Sequence, residues 1–259
     1  LEIDYPKLVT LPPIMGPDGK KKLSKRDGAK DLLEYRTDGY LPETMRNFLA
    51  LVGWNPGGEQ ELYPGRTLTQ AFSLEKIQRS GGAFNEDKLR WMNREYLKEL
   101  SNEEKAAYFT EALPESTHSK TQFSVERVER FAPVAFERIH TKIEITQAAE
   151  AGEYDWVFKA PEYDTELLLW KNDSSAKDAL PRLQKAILLL KDADFSSPET
   201  IKAALWDYAE EVGRGELLWP LRTALSGKKQ SPDPFTLAFV LHLSETISRL
   251  ENACDKISG

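Results

Sequence analysis

The chain has 259 residues and a formal net charge of −7 at pH 7, with 35 Lys and Arg against 42 Asp and Glu. This acidic balance excludes a protein that coats nucleic acid through general positive charge, so any RNA binding must depend on local basic patches. Its one cysteine, Cys254, excludes an intrachain disulfide and a Cys-cluster zinc site, and the length predicts two or three domains.

Cellular location and metal binding are constrained by what the sequence lacks. No apolar run is long enough to cross a membrane, and no signal peptide is recognisable. His118, His140 and His242 are scattered without the spacing of metal ligands. We therefore expect a cytoplasmic protein with no membrane span and no metal site.

The first feature in chain order is a basic loop. A turn signal at residues 16–19 follows an extended segment and two prolines, and five basic side chains then occupy the seven positions from Lys20 to Arg26. Such a cluster repels itself, and a polyphosphate ligand would relieve that repulsion. On composition alone, a solvated loop or a general nucleic-acid patch explains the same residues, and the sequence names no phosphate donor.

Residues 22–26, Lys-Leu-Ser-Lys-Arg, are similar to the KMSKS signature of class I aminoacyl-tRNA synthetases. With Leu-Pro-Pro-Ile before and Asp-Gly-Ala after, the loop resembles the glutamyl-tRNA synthetase form. The resemblance implies that Lys25 and Lys22 are catalytic and that Lys22, Ser24, Lys25 and Arg26 bind ATP, because the loop's cations meet the charge that develops on the leaving pyrophosphate. Asp27 departs from the histidine of many members, and could pair with Lys25 or Arg26.

The next third of the chain predicts helices. Apolar spacing gives a helix from Pro42 to Gly53, Ser73 is expected to cap a short helix, and Asn85 is expected to cap the following one. The segment around the first of these helices resembles a helix of the glutamyl enzyme that packs under the acceptor arm. Residues 84–93 resemble the segment that links its catalytic body to its RNA-binding tail. Ser101 and Glu104 form a capping box, which predicts a new helix and a new domain.

The middle of the chain predicts further helices. The helix that starts at the capping box should end at Pro114, Ser116 and Thr117, residues 125–139 should form a helical pair interrupted at Pro133, and residues 141–151 another helix. Residues 137–142 are similar to a patch in the family's first anticodon-binding subdomain. The resemblance implies that Arg138 reads an anticodon base, while a surface arginine in a salt bridge is an equal alternative.

The last third predicts a helical bundle, with one helix across residues 176–190 and another capped by Ser197. Residues 215–227 and 231–235 then resemble two blocks of the family's last helical subdomain. The resemblance assigns four residues to an anticodon pocket: Arg222, Ser231, Pro232 and Pro234. Asp233 replaces a common glycine and Pro234 a frequent leucine. A helix end followed by a proline-started helix would also explain the prolines, but not Arg222.

The resemblance as a whole implies a mainly α chain: the end of a class I Rossmann catalytic domain with stem-contact helices over residues 1–100, and helical anticodon-binding subdomains over 101–165 and 166–259. It implies a glutamate-tRNA ligase that uses L-glutamate and Mg-bound ATP as substrates, binds tRNA(Glu) and possibly tRNA(Gln), is a monomer and holds no structural cofactor. Because no HIGH signature is present, we expect the chain alone to be inactive.

Two rival interpretations remain at this point. A glutaminyl-tRNA synthetase shares the loop signature, but its anticodon region is built from β-barrels, and the second half of this chain lacks the alternation of strands. The other rival is a non-catalytic tRNA-binding or assembly module derived from a synthetase tail.

Overall fold

The computed structural model describes residues 8–27, 30–120 and 122–259, without the side chain of residue 27. The α-helices in this part of the chain are α1 (Leu32–Asp38), α2 (Pro42–Gly53), α3 (Thr67–Ala71), α4 (Glu86–Lys98), α5 (Asn102–Ala112), α6 (Glu115–His118), α7 (Val125–Phe136), α8 (Lys142–Glu150), α9 (Asp155–Phe158), α10 (Leu180–Lys191), α11 (Pro198–Val212), α12 (Arg214–Ser226) and α13 (Pro234–Ser258). Short 3₁₀ turns occupy Lys25–Asp27, Leu74–Lys76, Thr165–Leu168 and Ala176–Ala179. Since β-pairing in the described residues is limited to isolated bridges, the predicted mainly α fold is confirmed.

The chain forms two compact units that are interleaved in sequence. The first contains the residues up to Ala112 together with Pro133–Gln147, and the second contains Leu113–Ala132 together with Ala148–Gly259. These units are defined by contacts within the structure. The functional division at residues 100/101 and 165/166 stays a prediction.

The first unit has an aromatic core between α2 and α4. Met45, Phe48 and Val52 lie three or four residues apart on α2, so they share one buried face, which packs with Leu89 and Met92 of α4. Aromatic rings fill the rest of this core, and Leu23 of the basic loop packs against it. The loop is thereby anchored to the unit by its apolar residue.

A buried asparagine connects three segments of the first unit. The Asn93 Oδ1 accepts hydrogen bonds from the Leu41 backbone N–H (2.9 Å) and the Thr44 hydroxyl (2.9 Å), and its Nδ2 donates to the His140 carbonyl (2.5 Å). The Tyr108 hydroxyl donates to the Gly39 carbonyl (2.6 Å), and burial raises the pKa of Tyr108, so the hydroxyl keeps its proton. These bonds satisfy polar groups that would otherwise be buried at a cost.

Gly39 is required at its position for two reasons. Its φ of +93° is a left-handed conformation that favours glycine, and a Cβ there would lie 2.6 Å from the backbone nitrogen of Lys142. The turn between α1 and α2 therefore packs directly against the start of α8. Any side chain at residue 39 would force the two segments apart.

The second unit is a bundle of α10, α11, α12 and α13. Arg249 of α13 is 2% exposed, and each of its five N–H groups has an acceptor in the unit. The acceptors are the Glu245 carboxylate (2.7 Å), the carbonyls of Trp156 (2.8 Å), Leu225 (2.6 Å) and Lys159 (3.1 Å), and the Gln122 side chain (3.0 Å). Burial lowers the pKa of Arg249, and the Glu245 carboxylate opposes this shift.

Most predicted helix starts are confirmed by their capping bonds. The Asn85 Oδ1 accepts from the Lys88 N–H (2.9 Å), and the Ser197 Oγ accepts from the Thr200 N–H (3.1 Å). Ser101 and Glu104 exchange the two hydrogen bonds of a capping box (2.8 and 3.2 Å). The expected cap at Ser73 is wrong, because its hydroxyl donates to the Glu75 carboxylate (2.5 Å) and the element is only a 3₁₀ turn.

Two predicted helix ends differ from the structure. The predicted break at Pro133 is wrong, because α7 runs from Val125 to Phe136 with that proline inside it. A proline removes one helical hydrogen bond, and the strong apolar face of α7, with Val128, Phe131 and Phe136 buried, offsets that loss. The helix before it does end at Ala112, but residues 115–118 form the short helix α6 where a non-helical end was expected.

In the three described stretches, no helix has the length and apolar character that crossing a membrane requires.

Candidate functional site

The basic loop starts with a tight turn, as predicted. Met15 and Lys22 form an antiparallel bridge, the Leu23 N–H donates to the Ile14 carbonyl (2.9 Å), and the Gly16 N–H donates to the Lys21 carbonyl (2.7 Å). Gly19 has a φ of +67° and supplies the left-handed residue of the turn. The chain therefore folds back on itself just before the signature residues.

The loop presents its cations to solvent. The side chains of Lys20, Lys21, Lys22, Lys25 and Arg26 are exposed. Within the described residues, none of the five side chains has an ion pair or hydrogen bond. Leu23 packs inward between them, so the loop holds several uncompensated positive charges close together, an arrangement that suits a polyphosphate. The predicted pairing of Asp27, and the segments 1–7 and 28–29, lie outside the described residues.

Arg138 lies just after α7, in the first unit. Its side chain is exposed and has no hydrogen bond or ion pair to any described residue, so the alternative of a salt-bridging arginine is not supported. It lines an open groove of about 520 Å³ together with three other cations, Arg94, Lys98 and Lys105. These three residues were not predicted from the sequence.

Arg222 is held by an aromatic side chain on its own helix. Its guanidinium carbon lies 4.7 Å from the ring centre of Trp219, and its Nη2 donates to the Lys229 carbonyl (2.7 Å). The Trp219 Nε1 donates in turn to the Leu167 carbonyl (2.9 Å), and the ring of Trp170 lies 5.5 Å away. Stacking on an indole fixes the plane of the guanidinium at a small cost in entropy.

The Arg222 guanidinium is only partly satisfied. Its Nε is buried and has no acceptor among the residues that the structure describes. A buried donor of this kind is uncommon in folded proteins and is available to a further acceptor, such as a water molecule or a ligand.

The segment after α12 leads into the start of α13. The Ser231 hydroxyl donates to the Pro232 carbonyl (3.1 Å), and the Asp233 Oδ1 accepts from the N–H groups of Phe235 (3.0 Å) and Thr236 (3.0 Å). Asp233 is thus the N-cap of α13, and Pro234 is buried at the first helical position, as the proline-started helix requires. The sequence Asp-Pro-Phe-Thr could have predicted this cap.

The structure distributes the predicted site residues over both units. The KMSKS-like residues and Arg138 belong to the first unit, and Arg222, Ser231, Pro232 and Pro234 belong to the second. Trp219 and its partner Trp170 were not predicted. The spacing of three residues between Trp219 and Arg222, which puts two side chains on one helix face, was the available signal. The described residues hold no cluster of three or more His, Cys, Asp or Glu placed to bind a metal ion.

Two known protein families match parts of this chain. The family described as "Anticodon binding domain" matches residues 84–254, which is most of the chain. The chain belongs to the anticodon-binding domain family. The family described as "tRNA synthetases class I (E and Q), catalytic domain" matches residues 1–91, which include the basic loop.

Individual relatives of this member of the anticodon-binding domain family agree with the two family matches. A glutamate-tRNA ligase of Clostridium botulinum (strain Eklund 17B) is 34% identical over 97% of the chain and 51% of its own length. One from Clostridium novyi is 34% identical over 98% of the chain and 52% of its own length. The chain therefore corresponds to the C-terminal portion of glutamate-tRNA ligases, and spans about half the length of these relatives.

Solved structures extend the similarity to the fold. The crystal structure of a glutamate tRNA ligase from Elizabethkingia meningosepticum in complex with its amino acid gives a TM-score of 0.72 at 29% identity, covering 98% of this chain and 52% of the other. The glutamate-tRNA synthetase of Elizabethkingia anophelis gives 0.70 at 30% identity, covering 97% and 52%. Both neighbours exceed the similarity that a shared helical class alone would give.

Proposed function

We propose that this chain is the tRNA-binding, KMSKS-bearing part of a glutamate-tRNA ligase, an enzyme that attaches L-glutamate to tRNA(Glu) at the expense of ATP. The observation that carries the proposal is the alignment of 97% of the chain with a glutamate-tRNA ligase. Two local features agree with it. The cations of the basic loop are exposed, and the Arg222 guanidinium is oriented by Trp219 while its Nε lacks an acceptor among the described residues.

In this proposal the basic loop acts on the phosphates of ATP with its bound Mg²⁺. The glutamate carboxylate attacks the α-phosphate, glutamyl-adenylate forms and pyrophosphate leaves. Lys25 and Lys22 stabilise the charge that develops on the leaving group, and Ser24 and Arg26 contribute to nucleotide binding. The exposure of the cations and the anchoring of the loop by Leu23 support this role, since preorganised charge is the main source of such catalysis.

The second unit reads the anticodon in the same proposal. Single-stranded bases are recognised by stacking combined with hydrogen bonds to their edges, and a planar guanidinium can do both. Arg222 is proposed as the main contact, with Ser231, Pro232 and Pro234 shaping the pocket. Arg138 of the first unit is proposed to read a further anticodon base.

The remaining features of the proposal follow from the family. The protein is proposed to act as a cytoplasmic monomer, with the functional divisions at residues 1–100, 101–165 and 166–259. Whether tRNA(Gln) is a second substrate depends on the discrimination of one anticodon base.

Binding of tRNA to this chain is the direct test. The affinity should be measured at fixed physiological salt for glutamate tRNA, for the same tRNA with the last anticodon base changed from C to G, and for an unrelated tRNA, because backbone contacts make affinities depend on salt. We expect glutamate tRNA to bind more tightly than the unrelated tRNA. Equal binding to the two glutamate tRNAs would indicate a relaxed enzyme. Equal and weak binding to all three would contradict the role in tRNA recognition.

A further inference from the structure

We propose that the groove lined by Arg94, Lys98, Lys105 and Arg138, called here the cationic groove, binds a backbone phosphate of an RNA strand. The inference rests on the proposed function, since it takes tRNA as the RNA. It adds a site for the sugar-phosphate backbone to the base contacts proposed above. The evidence for this proposal is the position, charge and hydrogen bonding of the four side chains.

Three separate elements of the first unit build the cationic groove. Arg94 and Lys98 are four residues apart on α4 and therefore share one helix face, Lys105 comes from α5, and Arg138 follows α7. The groove has a cavity volume of about 520 Å³ and is open to solvent. Its single carboxylate, Glu137, leaves the lining strongly positive on a chain with a net charge of −7.

The described residues neutralise these cations only in part. The Lys105 and Arg138 side chains have no hydrogen bond or ion pair among the described residues. Arg94 donates from an Nη to the Glu137 carbonyl, but its Nε is buried without an acceptor in the described part of the chain. Lys98 pairs only with the partly exposed Glu95 (2.8 Å), a type of bond that contributes little stability and exchanges readily. An anion in the groove would therefore meet several available donors.

The lining favours nucleic acid over a partner protein. Protein interfaces depend on apolar and aromatic anchors at their centre, whereas the aromatic floor of the groove, Phe136, is only 1% exposed. Lysine and arginine side chains instead suit phosphate oxygens, which arginine can bind with two parallel hydrogen bonds. Phosphate contacts also position an RNA strand for base recognition by a neighbouring residue, and Arg138 lies in the same groove.

The test replaces the unpaired lysine by a neutral side chain of similar length. In Lys105→Gln, we expect binding of a glutamate tRNA transcript to weaken by a factor of roughly three to ten, and the slope of log affinity against log salt to become shallower by about one. The loss should be equal for the transcript with the altered last anticodon base, because a phosphate carries no sequence information. Lys105→Arg, which keeps the charge, should retain the affinity.

A matched control is available on α10. Lys185 is exposed on a helix and makes no side-chain bond among the described residues, so Lys185→Gln changes the net charge equally. We expect it to leave both affinity and salt slope unchanged. Equal effects of the two substitutions would mean that only the net charge matters, and would overturn the assignment.

Two other results would also overturn it. Unchanged tRNA affinity and salt slope in Lys105→Gln would exclude an RNA backbone contact in the groove. The groove would then be vacant or bind a protein, and the proposed function would not be affected. A loss confined to one anticodon variant would indicate a base contact. If the unmodified chain bound tRNA no more tightly than an unrelated protein with a basic patch does, the proposed function and this inference would fail together.

Discussion

The exposed position of Lys25 gives its proposed role a specific physical form. It begins a 3₁₀ turn, has no partner among the described residues, and follows a loop anchored by Leu23. A cation held in this way pays no desolvation cost before the nucleotide arrives and can move onto the phosphates as charge develops there.

Replacement of Lys25 should therefore affect chemistry more than binding. In a full-length glutamate-tRNA ligase that contains this chain, Lys25→Ala is expected to lower adenylate formation by about 10²-fold or more, measured by ATP–pyrophosphate exchange, with tRNA affinity nearly unchanged. Lys20→Ala, which removes an exposed lysine of the same loop outside the signature, is the control and should have a small effect. An unchanged exchange rate in Lys25→Ala would remove the residue from the reaction.

Arg222 offers the complementary test of recognition. Because its guanidinium stacks on Trp219 and donates to the Lys229 carbonyl, it is already oriented before tRNA binds. Arg222→Ala should weaken binding of glutamate tRNA by roughly tenfold or more, and should leave adenylate formation unchanged at saturating tRNA in the full-length enzyme.

The contribution of the stacking can be separated from that of the charge. Trp219→Leu keeps Arg222 but removes the ring that orients it, so a smaller loss of affinity is expected than in Arg222→Ala. Wild-type affinity in Arg222→Ala would place the anticodon pocket elsewhere in the chain.

At the scale of helices, α13 carries the main polar connection of the second unit. One of the five hydrogen bonds of Arg249 goes to Glu245 on the same helix. The other four join α13 to the end of α12, to α9 and the residue after it, and to the Gln122 side chain. Removal of the guanidinium would leave the Glu245 carboxylate and three backbone carbonyls without this donor.

Arg249→Met should consequently destabilise the protein by about 3–5 kcal/mol, measured as the free energy of unfolding in denaturant. Arg214→Met is the control, because Arg214 forms an exposed pair with Glu210 (2.6 Å) and should cost less than about 1 kcal/mol. Similar losses in the two variants would show that the buried network contributes no special stability.

Helices whose signals are local were predicted well, and those that depend on tertiary packing were not. Asn85 and Ser197 cap their helices through bonds to residues three positions away, so the short sequence pattern contains the information. Pro133 was expected to break a helix, but the burial of the apolar face of α7 outweighs one missing hydrogen bond.

At the scale of the whole molecule, the same distinction applies to the candidate sites. The basic loop could be predicted because its residues are consecutive, and the structure confirms its turn and the exposure of its cations. The cationic groove could not, since Arg94, Lys105 and Arg138 are brought together only by the packing of α4, α5 and the end of α7. Periodicity describes one helix at a time and carries no information on which helices become neighbours.

Because the two units are interleaved in sequence, the first unit is synthesised in two separate stages. Residues up to Ala112 leave the ribosome before the segment Pro133–Gln147 that completes their unit, and Tyr108 packs its ring on Phe136 from that later segment. At typical elongation rates the 35 residues from Ala112 to Gln147 take roughly two to seven seconds to synthesise. During this interval the ring of Tyr108 lacks its partner Phe136. Neither unit can finish folding before translation of the other has begun.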